Sequence, residues 1–133
     1  MILTYSDDRF VNLILSGSKI HTIRTDINER WRAGMPIQHW RGNPRNVRQK
    51  PYQFGFGECK SVQHIRIKCY DPNYSPEHFG ILVYIDFRYL TESEIETLAI
   101  NDGLSVAEFK AWFTPLKGQE YVGRIIHYTN LKY

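Results

Sequence analysis

Lys19, His21, Thr22 and Arg24 place an amine, an imidazole, a hydroxyl and a guanidinium within six residues. Together these groups could work on an acyl or phosphodiester centre: a base takes a proton, a hydroxyl attacks, and a cation holds developing negative charge. The plainer alternative is a surface strand with solvated polar groups. The cluster follows Gly17, which suits the left-handed position at the end of a helix. From Lys19 onward the apolar period changes from about 3.6 to 2, as it does where a strand begins. Alternation puts Lys19, His21 and Ile23 on one face and Ile20, Thr22 and Arg24 on the other. Twist at a helix-to-strand junction lets Lys19 lean towards Thr22 and Arg24. His21 reads either as a ligand contact or as a hydrogen-bonded strand residue.

The elements that must hold this cluster follow from patterning. Ile2 to Tyr5 reads as a short strand, and Ser6 as the N-cap of a helix with Asp7 and Asp8 in its first turn. Phe10, Leu13, Ile14 and Gly17 have the i, i+3, i+4, i+7 spacing of a core-facing helix. Ala33-Gly34 turns into a strand at Met35–Trp40. Tyr52 to Tyr70 alternates as strand, with Gly55 and Gly57 marking a bulge or a close backbone approach. Asp71 to Pro76 reads as a loop, and Ile81, Val83, Ile85 and Phe87 as one face of another strand. Thr91-Glu-Ser-Glu94 and Ser105-Val-Ala-Glu108 are capping boxes that open two helices, the first ending at Asn101-Asp102-Gly103. Thr114-Pro115 stops the second, Lys117-Gly118 turns, and Tyr121–Thr129 is a closing strand. The expected fold is a single α+β domain over residues 1–133. Its strands close into a small barrel, with the N-terminal helix and the two later helices packed at the side.

Charge points to the partner. Residues 1–70 carry 12 Lys and Arg against 5 Asp and Glu, and residues 71–133 carry 5 against 9, so a net +3 hides a basic first half. An anionic partner is expected, nucleic acid first and a phosphate-bearing small molecule second. The run from Arg41 to Pro51 holds Arg41, Arg45, Arg48 and Lys50 and no acidic residue. It is either a solubilising loop or a phosphate-contacting arm, which Trp40 would complement by stacking. Trp31 and Trp112 read as core or rim packing. No apolar run approaches the roughly 20 residues that cross a bilayer, and the N-terminal residues lack a signal-peptide pattern, so a cytoplasmic location is expected. Cys59 and Cys69 have no metal-ligand companions and read as reduced and structural. No metal or other cofactor is expected.

Gly17-x-Lys19-x-x-Thr22-x-Arg24 resembles the G-x-K-x-x-T-x-R motif of the ASCH domains, small relatives of the PUA β-barrels found in RNA-modifying proteins. Gly34-x-x-Ile37, Asn101-Asp-Gly-Leu104 and the closing Ile125-Ile-His-Tyr-Thr129 extend the resemblance over essentially the whole chain. It implies a barrel with a cleft beside the motif, suited to a nucleotide or an RNA segment. Some bacterial members are amidohydrolases that remove the acetyl group from acetylcytidine. By position, the resemblance makes Lys19 the base, Thr22 the nucleophile and Arg24 the motif arginine. Where those enzymes have a Glu between the late helices, this chain has Asp102, a carboxylate one methylene shorter.

Three functions follow as expectations. The first is binding of RNA or a modified nucleoside, with Arg24, His21, Trp40, Arg41, Arg45, Arg48 and Lys50 as ligand contacts. The second is amide hydrolysis on an acylated cytidine through Lys19, Thr22 and Asp102: a lysine with a depressed pKa deprotonates the threonine, and a carboxylate passes a proton to the leaving amine. The third is a ribonuclease using Lys19, Arg24 or a nearby histidine.

Overall fold

The computed structural model describes residues 1–70, 80–113 and 119–133. The expected loop at 71–76, His78, and the Thr114-Pro115 and Lys117-Gly118 signals lie outside the described residues. Strand β1 (Ile2–Tyr5) leads into helix α1 (Asp8–Leu15), followed by β2 (His21–Arg24), β3 (Pro36–Arg41), β4 (Tyr52–Glu58), β5 (Ser61–Cys69), β6 (Ile81–Ile85) and β7 (Arg88–Tyr89). Helices α2 (Glu92–Asn101) and α3 (Val106–Phe113) precede the last strand, β8 (Glu120–His127). The fold is α+β.

Its strands form two sheets, not the single closed barrel that the patterning suggests. One sheet has the order β1-β3-β4, and the other β2-β8-β5-β6-β7. The chain turns the corner between them at Cys59 and Lys60, where Cys59 N–H bonds to Met35 O and Lys60 N–H to His127 O. Both sheets contribute to one core: Leu3, Tyr5 and Ile37 from the first, Ile23, Ile65, Ile67, Val83, Ile85 and Ile125 from the second. Ile95 and Leu98 of α2 and Phe109 and Phe113 of α3 complete it. The seam stays open between β1 and β2. There Ile20 spends its N–H on Asn101 O and its carbonyl on Tyr128 N–H, so the chain entering β2 is sewn to α2 and β8 instead of to β1.

Local details correct several expectations. Asp7, not Ser6, caps α1, its carboxylate accepting from Arg9 N–H. Gly17 does take the left-handed conformation, with φ +79°. Gly55 lies beside a bulge: His39 pairs with Gly55 and Trp40 with Gln53, leaving Phe54 as the extra residue. Phe87 does not continue β6; Asp86 turns the chain at φ +52° and leaves Phe87 95% exposed. Both capping boxes form, with Thr91 and Glu94 reciprocally bonded at α2 and Ser105 and Glu108 at α3. Cys59 and Cys69 are not joined by a disulfide. Among the described residues no helix is long and apolar enough to cross a membrane.

Candidate nucleotide cleft

The helix-to-strand junction and the α2–α3 junction meet at the open seam. Asp102 is the C-cap of α2, with its N–H bonded to Leu98 O. Gly103 follows at φ +85°, and a Cβ there would lie 3.3 Å from the Lys19 and Phe10 side chains and 3.2 Å from Leu13. Only a residue without a side chain lets the lysine stem pass this close. Lys19 then reaches the end of α2, donating to Asp102 O at 2.5 Å and to Asp102 Oδ1 at 3.0 Å. Carboxylate and helix C-terminus both favour a cation there.

The pair is sealed from bulk water, Lys19 and Asp102 each being 3% exposed. Burial, the largest influence, pulls the Lys19 pKa down, and the Asp102 charge only partly restores it. The amine also stands 5.0 Å from the centre of the Phe10 ring.

Thr22, Arg24 and Ile23 of β2 line the same cleft, with Thr4, Tyr5 and Ser6 opposite and Phe10, Leu104, Trp112 and Phe113 from the helices. Among the described residues the Thr22 side chain makes no hydrogen bond. Arg24 bridges the seam, donating to Thr4 O at 2.8 Å and lying 5.4 Å from the Tyr5 ring centre. Tyr5 Oη is bonded to His39 Nδ1 at 2.9 Å and to Tyr128 Oη at 2.6 Å. Burial raises the Tyr5 pKa to about 12, so this wall of the cleft is neutral at ordinary pH. The cavity itself is about 80 Å³, room for several waters or one small planar group.

Thr4, Tyr5 and Ser6 also line a second, wider groove, whose other walls are Arg41, Gly42, Asn43 and Gln49. Thr4 and Asn43 also border a third depression, lined with them by Ile2, Pro44 and Arg45. Arg41 and Arg45 of the basic run thus border depressions that share residues of the cleft's β1 wall.

Not every expected contact is there. His21 is fully buried and does not line the cleft. Asn101 Nδ2 donates to Tyr133 Oη at 3.0 Å, which leaves that hydroxyl to donate to His21 Nε2 at 2.6 Å. The network thus assigns the imidazole proton to Nδ1, which lies 3.3 Å from Asp102 Oδ1, off the line of a good hydrogen bond. His21 backs Asp102 and cannot touch a ligand. Trp40 lies on the face of β3 opposite Ile37 and His39, its Nε1 bonded to Gln38 Oε1 at 3.1 Å, away from the cleft. Arg41 is tied to Asp8 at 2.6 Å, whereas Arg45, Arg48 and Lys50 form no ion pair among the described residues. Lys50 closes a single 3₁₀ turn, Val47–Gln49, outside the cleft.

Two contributors escape a reading of the sequence. Thr4, Tyr5 and Ser6 form the far wall because β1 lies beside the open seam. Trp112, expected to pack, is 56% exposed and lines the cleft. Its one local signal is its place in α3 beside the buried Phe109 and Phe113. No three His, Cys, Asp or Glu side chains among the described residues gather as a metal site. Compared with known proteins, the chain matches no family model, no curated protein and no solved structure.

Proposed function

We propose that the chain is an ASCH-type, PUA-like nucleotide-binding domain that takes RNA by preference, with one base in the cleft and the sugar–phosphate along the basic groove. The observation that carries this reading is that the small cleft shares its β1 wall, Thr4 to Ser6, with a groove lined by Arg41, and that Thr4 also borders a depression lined by Arg45. A cavity of about 80 Å³ suits a base better than a whole nucleotide, and Arg45, which forms no ion pair among the described residues, suits a phosphate beside it. Two sheets wrapped on one core and joined at a corner fit a PUA-type barrel opened at one seam.

Anisotropy of a labelled single-stranded oligoribonucleotide tests the proposal. Affinity is expected to fall steeply between about 50 and about 200 mM salt. Arg45→Ala and Arg48→Ala should each weaken binding several-fold across sequences and flatten the salt dependence by about 0.7 per lost phosphate contact. Lack of affinity at low salt would sink the proposal.

A second reading, amide hydrolysis on an acylated cytidine, is favoured by the burial that pulls the Lys19 amine towards its neutral form in the cleft that Thr22 lines. In that reaction Lys19 takes the Thr22 proton as Oγ attacks the acyl carbonyl. The C–N bond then breaks, the proton passes from Lys19, which Asp102 holds, to the departing amine, and water releases the acid from the threonine ester. Thr22→Val replaces the hydroxyl with a methyl group. Chromatography of acetylcytidine should show release by the wild type and none by this variant; equal release by both rules out Thr22 as nucleophile. Of the groups named for a ribonuclease, Lys19 and Arg24 line the cleft and no described histidine does.

A further inference from the structure

Trp112 is the only tryptophan that lines the cleft, and it is 56% exposed, whereas the neighbouring Phe10 and Phe113 are 6% and 8% exposed. Its ring is set edge-on against Phe10, with centroids 6.0 Å apart and planes at 67°, and lies 6.5 Å from Phe113. Phe10 belongs to α1 and Trp112 to α3, and the two helices are clamped where Arg9 Nη1 donates to Glu108 Oε2 at 2.6 Å. Glu108 is also half of the capping box of α3. The indole is therefore held by two rings and a braced helix, yet more than half of it is left to solvent. Leaving a large flat apolar surface uncovered at the mouth of a polar cleft forgoes burial that a smaller residue would not need.

We infer that Trp112 is the stacking wall of the cleft, a specificity-determining residue that selects ligands presenting a planar aromatic face. This rests on the nucleotide reading and adds what that reading lacks, a surface for the base. The inner groups, Lys19, Thr22, Arg24 and Asp102, are polar and address the edge of a ring. Of these only the Arg24 guanidinium is planar, and it already lies over the Tyr5 ring. An indole offers one to any base, and base-on-aromatic stacking tolerates sequence while excluding aliphatic anions.

The test uses cytidine monophosphate and ribose 5-phosphate, which share sugar and phosphate and differ by the base. Wild-type protein should bind cytidine monophosphate and quench its own tryptophan fluorescence as the base covers Trp112. Trp112→Ala should weaken cytidine monophosphate by about ten- to a hundredfold and leave ribose 5-phosphate unchanged. Trp112→Phe should retain affinity within several-fold but lose the quench, because the remaining Trp31 and Trp40 do not line the cleft. A purely structural role would not produce that separation. An exposed ring can be removed without unfolding the domain, which an unchanged thermal melt verifies. Wild-type affinity in Trp112→Ala overturns the inference and spares the nucleotide reading. Absence of nucleotide binding by the wild type overturns both.

Discussion

Asp102→Ala is expected to cost about 3–5 kcal/mol of folding stability, lowering Tm by on the order of 10–20 °C. The reason is the buried amine left behind, which must hold its charge without a carboxylate or give up its proton. Lys19 is 3% exposed and loses its one carboxylate partner among the described residues, keeping the backbone carbonyl of residue 102. The backbone does not object to alanine, since Asp102 has ordinary right-handed dihedrals of φ −86° and ψ −2°. The loss therefore reports on charge. Lys19→Met, which keeps the length of the side chain against Phe10, should cost a similar amount by stranding the carboxylate. The double variant should be much more stable than the sum of the singles, since it removes both buried charges together. Additive single effects in urea melts would show that the two groups do not act as a pair.

Stability is also expected to fall steadily as pH drops from about 6.5 to about 4. His39 and His127 are 4% and 0% exposed, and burial holds both pKa values down to about 4. The Lys19 charge adds to the depression at His39, and the neighbouring His21 at His127. Burial lowers His21 as well. These rings are neutral in the folded protein at pH 7, and so are they in the unfolded chain, so they cost nothing there. Below about 6.5 the unfolded chain gains protons that the folded protein refuses, and the balance tilts by up to about 1.4 kcal/mol per pH unit for each histidine. Asp26 acts lower on the scale. Its bonds to Arg30 N–H, Trp31 N–H and Arg124 hold its pKa down against burial, so its stabilising share is lost only as pH falls below the usual carboxylate range. His39→Phe, which keeps a ring against Phe54 and Tyr128, should flatten the upper part of the profile. A melting temperature unchanged between pH 6.5 and 4 would contradict this account of the buried rings.

Much of the site is legible in the sequence because its parts are local. The left-handed Gly17, the two capping boxes and the Asn101-Asp102-Gly103 helix end each depend on neighbours within a few positions, and they bring Lys19 and Asp102 to the ends of their elements. Strand alternation separates Lys19 from Thr22 and Arg24, whereas all three line one cleft. Lys19 precedes β2, so the alternation of that strand does not bind it. Trp40 falls outside the cleft because it alternates with Ile37 and His39, which face inward. Trp112 and the burial of His21 are different. They depend on how α1 and α3 are braced by Arg9–Glu108 and on contacts to Tyr133, across 99 and 112 residues respectively, and no local pattern encodes those. The closed barrel fails for a similar reason. Period-2 patterning marks each strand but does not say that Ile20 will bond to α2 and β8 and leave β1 beside an open seam.

The most direct test of the central claim is competition: cytidine monophosphate against a labelled oligoribonucleotide bound to the wild-type protein. If one base occupies the cleft and its phosphate the groove, the mononucleotide displaces the RNA completely, and ribose 5-phosphate does so only at much higher concentration. RNA that stays bound at saturating mononucleotide would mean that the cleft beside Lys19, Thr22 and Asp102 is not where this protein holds nucleic acid.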